Sequence, residues 1–203
     1  MMDLYSSATA NGQRARLVLE ETRTPYRLHS LNLHAGEQAS PAIRALNPLG
    51  AIPILVDPDG PDNKLLTLTQ SIAIILYVAE KSKMLIPAEA GRRAAMWQWL
   101  SLAASDIAGT NSAINQLGRS APEKSEQNID FFEGRLLRYF EACNLQLASE
   151  TFIAGEFSIA DISLYPFVAA RAGLMHKSGG LAHLKNWVDR MQSRPAIAIA
   201  MSH

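Results

Sequence analysis

The stretch from Asn47 to Lys81 constrains this chain more than any other: NPLGAIPILVD, a polar loop, then LTLTQSIAIILYVAEK. Ile54-Leu55-Val56 is a short apolar run bounded by Pro53 and the turn cluster DPDGPD, which predicts a buried strand. Leu65 to Leu68 predicts the second arm of a hairpin across an eight-residue loop. Thr69-Gln70-Ser71 then precede Ile72, Ile75, Leu76 and Ala79, a stripe at helical spacing. A proline leading straight into a strand cannot donate to the ladder, and the Ile52–Pro53 bond is a candidate for cis. The N–H and C=O of Ile52 are then left for a peptide-like ligand. The helix start adds N–H groups, the Ser71 hydroxyl and a positive dipole end, all suited to a carboxylate. Together these features point to a site for a short acidic peptide.

The rest of the chain divides near residue 83. Before it the elements alternate: a strand over Met2 to Tyr5, a helix over Asn11 to Glu21, a strand over Tyr26 to Leu31 and a short helix over Pro41 to Leu46. A strand–helix–strand start followed by a hairpin implies parallel and antiparallel pairs in one mixed sheet. Beyond Lys83-Met84-Leu85-Ile86-Pro87 the pattern is helical throughout. Met96, Leu100, Ala103 and Ile107 share one face, as do Ile129, Phe132, Leu136, Phe140, Cys143 and Leu147. Gly118 to Pro122 separates these two long helices, three shorter helices are expected after them, and Pro195 is expected to open the last. Ser158-Ile159-Ala160-Asp161 reads as a capping box, flanked by Phe157 and Ile162 as a hydrophobic staple, which makes Asp161 a folding device rather than an acid or base. The two Trp residues of the first long helix, Trp97 and Trp99, point to different faces, for core or subunit contact.

Nineteen basic and nineteen acidic residues cancel, so no field draws this chain to nucleic acid or anionic lipid. The opening MMDLYSSATANGQRAR lacks the charged-then-apolar order of a signal peptide, and no stretch has 18 consecutive apolar residues. One cysteine, Cys143, excludes an internal disulfide; its place on an apolar helix face makes it a structural thiol. The five histidines (His29, His34, His176, His183, His203) show no metal-ligand spacing, so no metal is expected. A protein of a reducing cytoplasm, without nucleic-acid or membrane partner, is the expectation.

Beyond Ile52-Pro53 and Gln70-Ser71, four further stretches carry a resemblance: ATANG near the start, LEETRTPYRLHSLNL, SIADISLYPFV and LKNWVDRMQSRPA. In this order they resemble the glutathione transferase family over essentially the whole chain, closest to its bacterial nu-class-like members. The resemblance implies an α/β thioredoxin-like domain over 1–82 that binds glutathione, and an all-α domain over 88–203 that forms the second-substrate pocket. It also implies glutathione as co-substrate, a symmetric homodimer, and a part in detoxification.

The chemistry of such an enzyme starts from a thiol with a reference pKa of about 8.5, and lowering it by about two units takes about 2.7 kcal/mol. One or two hydrogen bonds to charge, each worth about 1.5–3 kcal/mol, suffice. The donors belong in the turn after the first strand: Tyr5, Ser6, Ser7, Thr9 or Asn11. Some classes use a tyrosine near Tyr5, and others a Ser or Cys where this chain has Ala10. Nu-class-like relatives place Thr and Asn around the sulfur, which favours Thr9, through its hydroxyl or backbone N–H, and Asn11 as second donor. The plainer alternative stays open: Asn11-Gly12 as an ordinary cap, Thr9 as an ordinary turn residue, and Tyr5 packed between sheet and helix.

For the remaining ligand contacts the resemblance implies Gln38 at the glycyl end, with a solvated loop as the alternative. It implies the backbone of Ile52 and Pro53 along the peptide, and Gln70 and Ser71 at the glutamyl end. Gln70 stands where nu-class-like relatives carry Glu, and Phe131 where relatives bring an Arg. The pocket for the second substrate is expected near Ala104, Ala108 and Tyr165. Three functions fit: a transferase adding the thiolate to an electrophile, a glutathione-dependent disulfide reductase needing no protein cysteine, or a non-enzymatic binding or regulatory member of the fold.

Overall fold

The structure, a computed structural model, describes residues 1–202; His203 lies outside the described residues. The chain forms two compact units. The first comprises Met1–Leu85 together with the segment from Arg194 onward, and the second is Ile86–Ser193.

In the first unit, β1 (Met2–Ser6) leads through a tight turn into α1 (Ala10–Glu21) and returns as β2 (Tyr26–Ser30), parallel to β1. After α2 (Pro41–Leu46), the hairpin β3 (Ile54–Asp57) and β4 (Leu66–Thr69) adds antiparallel pairs, and α3 (Ser71–Ser82) follows at once. The mixed sheet runs β2-β1-β3-β4. The second hairpin arm starts one residue later than expected, because Leu65 points into solvent at 69% exposure and Leu66 begins the pairing with Asp57. Leu4, Leu17, Val18, Leu19, Leu55, Ile74, Ile75 and Val78 form the core where α1 and α3 pack together and on the sheet, and Ile54 is buried on the opposite face. At the far end of β3 the buried Asp57 accepts hydrogen bonds from Tyr77 Oη and Lys81 Nζ, each 2.6 Å, and from Asp59 N at 2.9 Å. Burial alone would raise its pKa, but these donors, Lys81 foremost, hold it below the ordinary carboxylate value.

The second unit is helical. α4 (Ala90–Leu102), α5 (Ala108–Asn115) and two π-helical turns, Ala103–Ile107 and Gln116–Ser120, run on as one long helical path, which the long α6 (Glu126–Gln146) follows. Met96, Leu100, Ala103, Ile107, Leu136, Phe140 and Cys143 are all buried, as a single apolar face of each helix requires. α7 (Ile159–Ala170), α8 (Ala172–His176) and α9 (Ala182–Gln192) complete this unit.

Among the described residues four short helices therefore follow α6, not three. Arg171 breaks the path between α7 and α8 with φ −123° and ψ 26°, which apolar periodicity alone does not reveal. The last, α10 (Pro195–Met201), with Pro195 at its first position, does not belong to the helical unit as expected but packs on α1. Arg194 Nε and Nη2 grip Glu21 Oε1 and Oε2 at 2.6 and 2.7 Å, and Ile197 and Ala200 are buried.

Ser158 and Asp161 form the capping box at the start of α7. Asp161 is fully buried: its Oδ1 accepts from Ile153 N at 3.0 Å and Trp187 Nε1 at 2.8 Å, and its Oδ2 from Ser158 N at 3.1 Å. Tyr165, expected to line a substrate pocket, is only 2% exposed and meets Trp187 edge-on at 6.0 Å, so it is core. Ala104 and Ala108 are half-buried.

Candidate functional site

Register brings three strand ends together. β1 pairs Tyr5 with Ile54, and β4 pairs Thr69 with the same Ile54. Ser6, Pro53 and Gln70 are the next residues along these three strands, and the helices α1 and α3 start a few residues and one residue beyond Ser6 and Gln70. The Ile52–Pro53 peptide bond is cis. Neither the N–H nor the C=O of Ile52 takes a hydrogen bond among the described residues. The loop before it is held from inside: buried Asn47 donates from Nδ2 to Ala51 O at 2.7 Å and accepts from Leu49 N at 3.2 Å. Gly50 turns with φ +59°, close against the Gln38 carbonyl, which would lie 3.2 Å from any Cβ there. Gln38 Oε1 is buried without a partner. An orphaned acceptor of that kind is costly unless a ligand or water supplies a donor.

Gln70 has φ 73° and ψ 118°, a left-handed backbone that costs a non-glycine residue about 1–3 kcal/mol and is found where function over-determines the geometry. It turns the chain so that Ser71 opens α3. The Ser71 hydroxyl, buried with its residue, donates to Asn11 Oδ1 at 3.4 Å and so joins the two helix starts.

Thr9, not Asn11, is the N-cap of α1: its Oγ1 accepts from Gly12 N at 3.1 Å, and Asn11 is the second helical residue. The Thr9 backbone N–H is spent on Ser7 O at 2.7 Å, which removes it as a donor to a ligand and leaves the hydroxyl hydrogen. Gly12 permits this tight turn, because a Cβ there would lie 2.2 Å from Ser7 O and 2.5 Å from Ser6 Oγ. Asn11 is exposed, and its Oδ1 also accepts from Arg14 Nη1 at 3.2 Å. Thr9, Asn11, Pro53, Gln70 and Ser71 thus border one end of the sheet, with Ile52 leading in and Gln38 beside the Gly50 turn.

Other candidates fall elsewhere. Tyr5 shares a strand face with His29, on which its ring stacks at 4.3 Å. That face is opposite the one carrying Leu28, which lines a small cavity with Gly12, Gln13 and Arg16 of α1. Ser6 is buried and its hydroxyl turns to Ser7 O at 3.5 Å; Ser7 is half-buried. Phe131 is 62% exposed on α6, edge-on to Phe132. Cys143 is buried, which pushes its thiol up to about 12. Among the described residues no cluster of His, Cys, Asp and Glu could hold a metal ion.

Two residues of this neighbourhood escape a reading of motifs. Asn47 carries only a generic turn signal before Pro48. Arg14 carries a stronger one: it precedes Leu17 and Val18 by three and four residues, so helical spacing puts a charge on the buried face.

Two family profiles match the chain: one described as "Glutathione S-transferase, N-terminal domain" over residues 10–81, the other as "Glutathione S-transferase, C-terminal domain" over 94–195. The disulfide-bond oxidoreductase YfcG of Escherichia coli (strain K12) is 32% identical over 203 residues, covering 99% of this chain and 94% of that protein. The disulfide-bond oxidoreductase YghU of the same strain is 28% identical, covering 97% and 72%. A glutathione transferase family member from Pseudomonas fluorescens Pf-5, solved with two glutathione molecules bound, matches with TM-score 0.91 and 26% identity over 98% of this chain and 92% of that one. A glutathione transferase from Pseudomonas putida, with one glutathione disulfide per subunit, matches with TM-score 0.91 and 26% identity over 99% and 90%.

Proposed function

The chain belongs to the glutathione S-transferase family, and we propose that it binds glutathione and turns the thiolate on an electrophilic or disulfide substrate. The observation that carries this reading is the Ser71–Asn11 hydrogen bond, which ties a carboxylate-binding helix start to a thiol-binding one. On this reading the Ser71 hydroxyl and the first N–H groups of α3 take the glutamyl carboxylate, with Gln70 beside its amino group. The free backbone of Ile52, next to Pro53, pairs with the cysteinyl residue as a short antiparallel strand. The orphaned Gln38 Oε1 accepts a donor near the glycyl end. The Thr9 hydroxyl and the Asn11 amide donate to the sulfur; Tyr5, Ser6 and Ser7 are not needed for it.

The similarity to YfcG favours a second substrate class, disulfides. Two glutathione molecules then reduce one disulfide: the first thiolate opens it and releases one thiol, the second attacks the mixed disulfide, and oxidised glutathione and the other thiol leave. No protein thiol is required, and Cys143, buried and protonated, takes no part. We further propose a homodimer in the cytoplasm. Sedimentation finding only monomer at micromolar concentration overturns it.

Retention on immobilised glutathione, followed by parallel assays with a model electrophile and a small disulfide, tests the function. Asn11→Ala is expected to raise the pKa of the bound thiol and shift the rate profile alkaline, while Tyr5→Phe leaves both unchanged. A silent Asn11→Ala beside a crippled Tyr5→Phe would show the wrong donor has been chosen. Binding without turnover of either substrate would make the chain a binding protein.

A further inference from the structure

We propose that Arg14 is a positioning residue for the thiol chemistry: its guanidinium, together with the Ser71 hydroxyl, fixes the Asn11 side-chain amide with the oxygen turned inward and the NH2 group left to donate to the glutathione sulfur. This rests on the reading of Asn11 as a thiol donor. Arginine has five donors and no acceptor, so the Asn11 atom 3.2 Å from Arg14 Nη1 must be the oxygen. The same oxygen takes the Ser71 hydroxyl at 3.4 Å. Chemistry therefore settles the amide orientation, and Nδ2 is the end that remains for a ligand.

Arg14 is 1% exposed, on the face of α1 that also carries Leu17 and Val18. Burial lowers its pKa to about 9, which still leaves it charged at neutral pH. A buried cation on the amide oxygen draws electron density toward that oxygen and makes the N–H a stronger donor to an anion. The relay runs from guanidinium to amide oxygen, through the amide, to N–H and thiolate. A neutral partner would orient the amide but not polarise it.

Other charges near this relay are few. Arg16 of α1 spends its Nε on Tyr26 Oη, and Glu20 and Glu21 lie at the far end of that helix, on Tyr26 and Arg194. α3 carries Glu80, Lys81 and no earlier charge, about 13 Å along the helix from Ser71. β1 contributes Asp3, bound to His29, and α10 holds no charged residue. His29 is on the sheet face with Tyr5, opposite the one α1 covers.

The test is a double-mutant cycle read on the thiolate absorbance of bound glutathione against pH, and on kcat and KM with a small disulfide. Arg14→Gln is expected to raise the bound thiol's pKa and lower kcat about tenfold, with KM for glutathione within about twofold. In the Asn11→Ala background the same substitution is expected to add nothing, and Arg14→Lys, which keeps a charged donor, to recover part of the loss. Equal losses in both backgrounds overturn the proposal, because Arg14 would then act without Asn11. So does a normal thiol pKa in Arg14→Gln while Asn11→Ala is impaired. A silent Asn11→Ala instead sinks the donor role of Asn11 itself. If Arg14→Gln does not fold, Arg14→Lys carries the cycle: a single ammonium lacks the planar fork, so a loss of about threefold is expected in the wild-type background and none with Asn11→Ala. Equal behaviour in the two backgrounds again overturns the proposal.

Discussion

Asp161→Asn isolates the cost of keeping a carboxylate in the dry interior of the helical unit. Burial raises the Asp161 pKa from 3.8 to about 6, against the pull of the Ile153 N–H, the Trp187 indole N–H and the Ser158 N–H, each of which favours the anion. The folded protein therefore holds the proton more tightly than the unfolded chain. Stability from this group is fully present below pH 3.8, falls as pH rises to about 6, and is flat above. Between pH 7 and pH 5 the gain on acidification is about 1 kcal/mol, and the full span is about 3 kcal/mol. Asn keeps the oxygen that accepts from Ile153 and Trp187 but turns an NH2 group toward Ser158 N, at a cost of about 1 kcal/mol for the cap. Thermal melts of both proteins from pH 5 to pH 8 give a difference in which the histidines and surface carboxylates cancel. The wild-type advantage is expected to grow by about 2–4 °C on going from pH 7 to pH 5. The Trp187 indole proton, followed by NMR, should titrate near the same pH and lose its titration in the variant. A difference that is flat, or that shrinks on acidification, would refute the account of Asp161 as a desolvated carboxylate.

Ser71→Ala is expected to weaken glutathione binding by about 1.5–3 kcal/mol in calorimetry, with little change in the bound thiol's pKa beyond what a loosened Asn11 allows. Gly12→Ala forces a methyl group within 2.2 Å of the Ser7 carbonyl, so the turn must open; a large drop in Tm or loss of soluble protein is expected, and a wild-type melt would contradict the geometry. Arg194→Ala leaves the Glu21 carboxylate, only 8% exposed, without its two-pronged partner; a loss of about 1–3 kcal/mol is expected in denaturant titration, together with faster amide exchange along α10.

What can be read from the sequence here is what is local. The hairpin, the start of α3 and the capping box of Ser158 and Asp161 each depend on residues within a few positions of one another, and their backbone consequences are written in the spacing. The face of Tyr5 is not local. It follows from the pairing with His29, in a strand reached only after α1, and pairing register leaves little trace in a single strand. The docking of α10 is less local still: Arg194 and Glu21 are 173 residues apart, and neither is unusual in its own surroundings.

Asn11 shows the same limit within the site. Its type and position are legible, yet its useful property is the orientation of one amide, and that orientation depends on Arg14 in its own helix and on Ser71 sixty residues away. A buried charge at helical spacing from two core residues is the trace that such a partner leaves. An arginine at Arg14 is costly to bury, and the Asn11 amide at the helix start is one of the groups it holds. Candidate site residues are thus found by their types, whereas the residues that orient them are found by asking which polar groups the core has admitted.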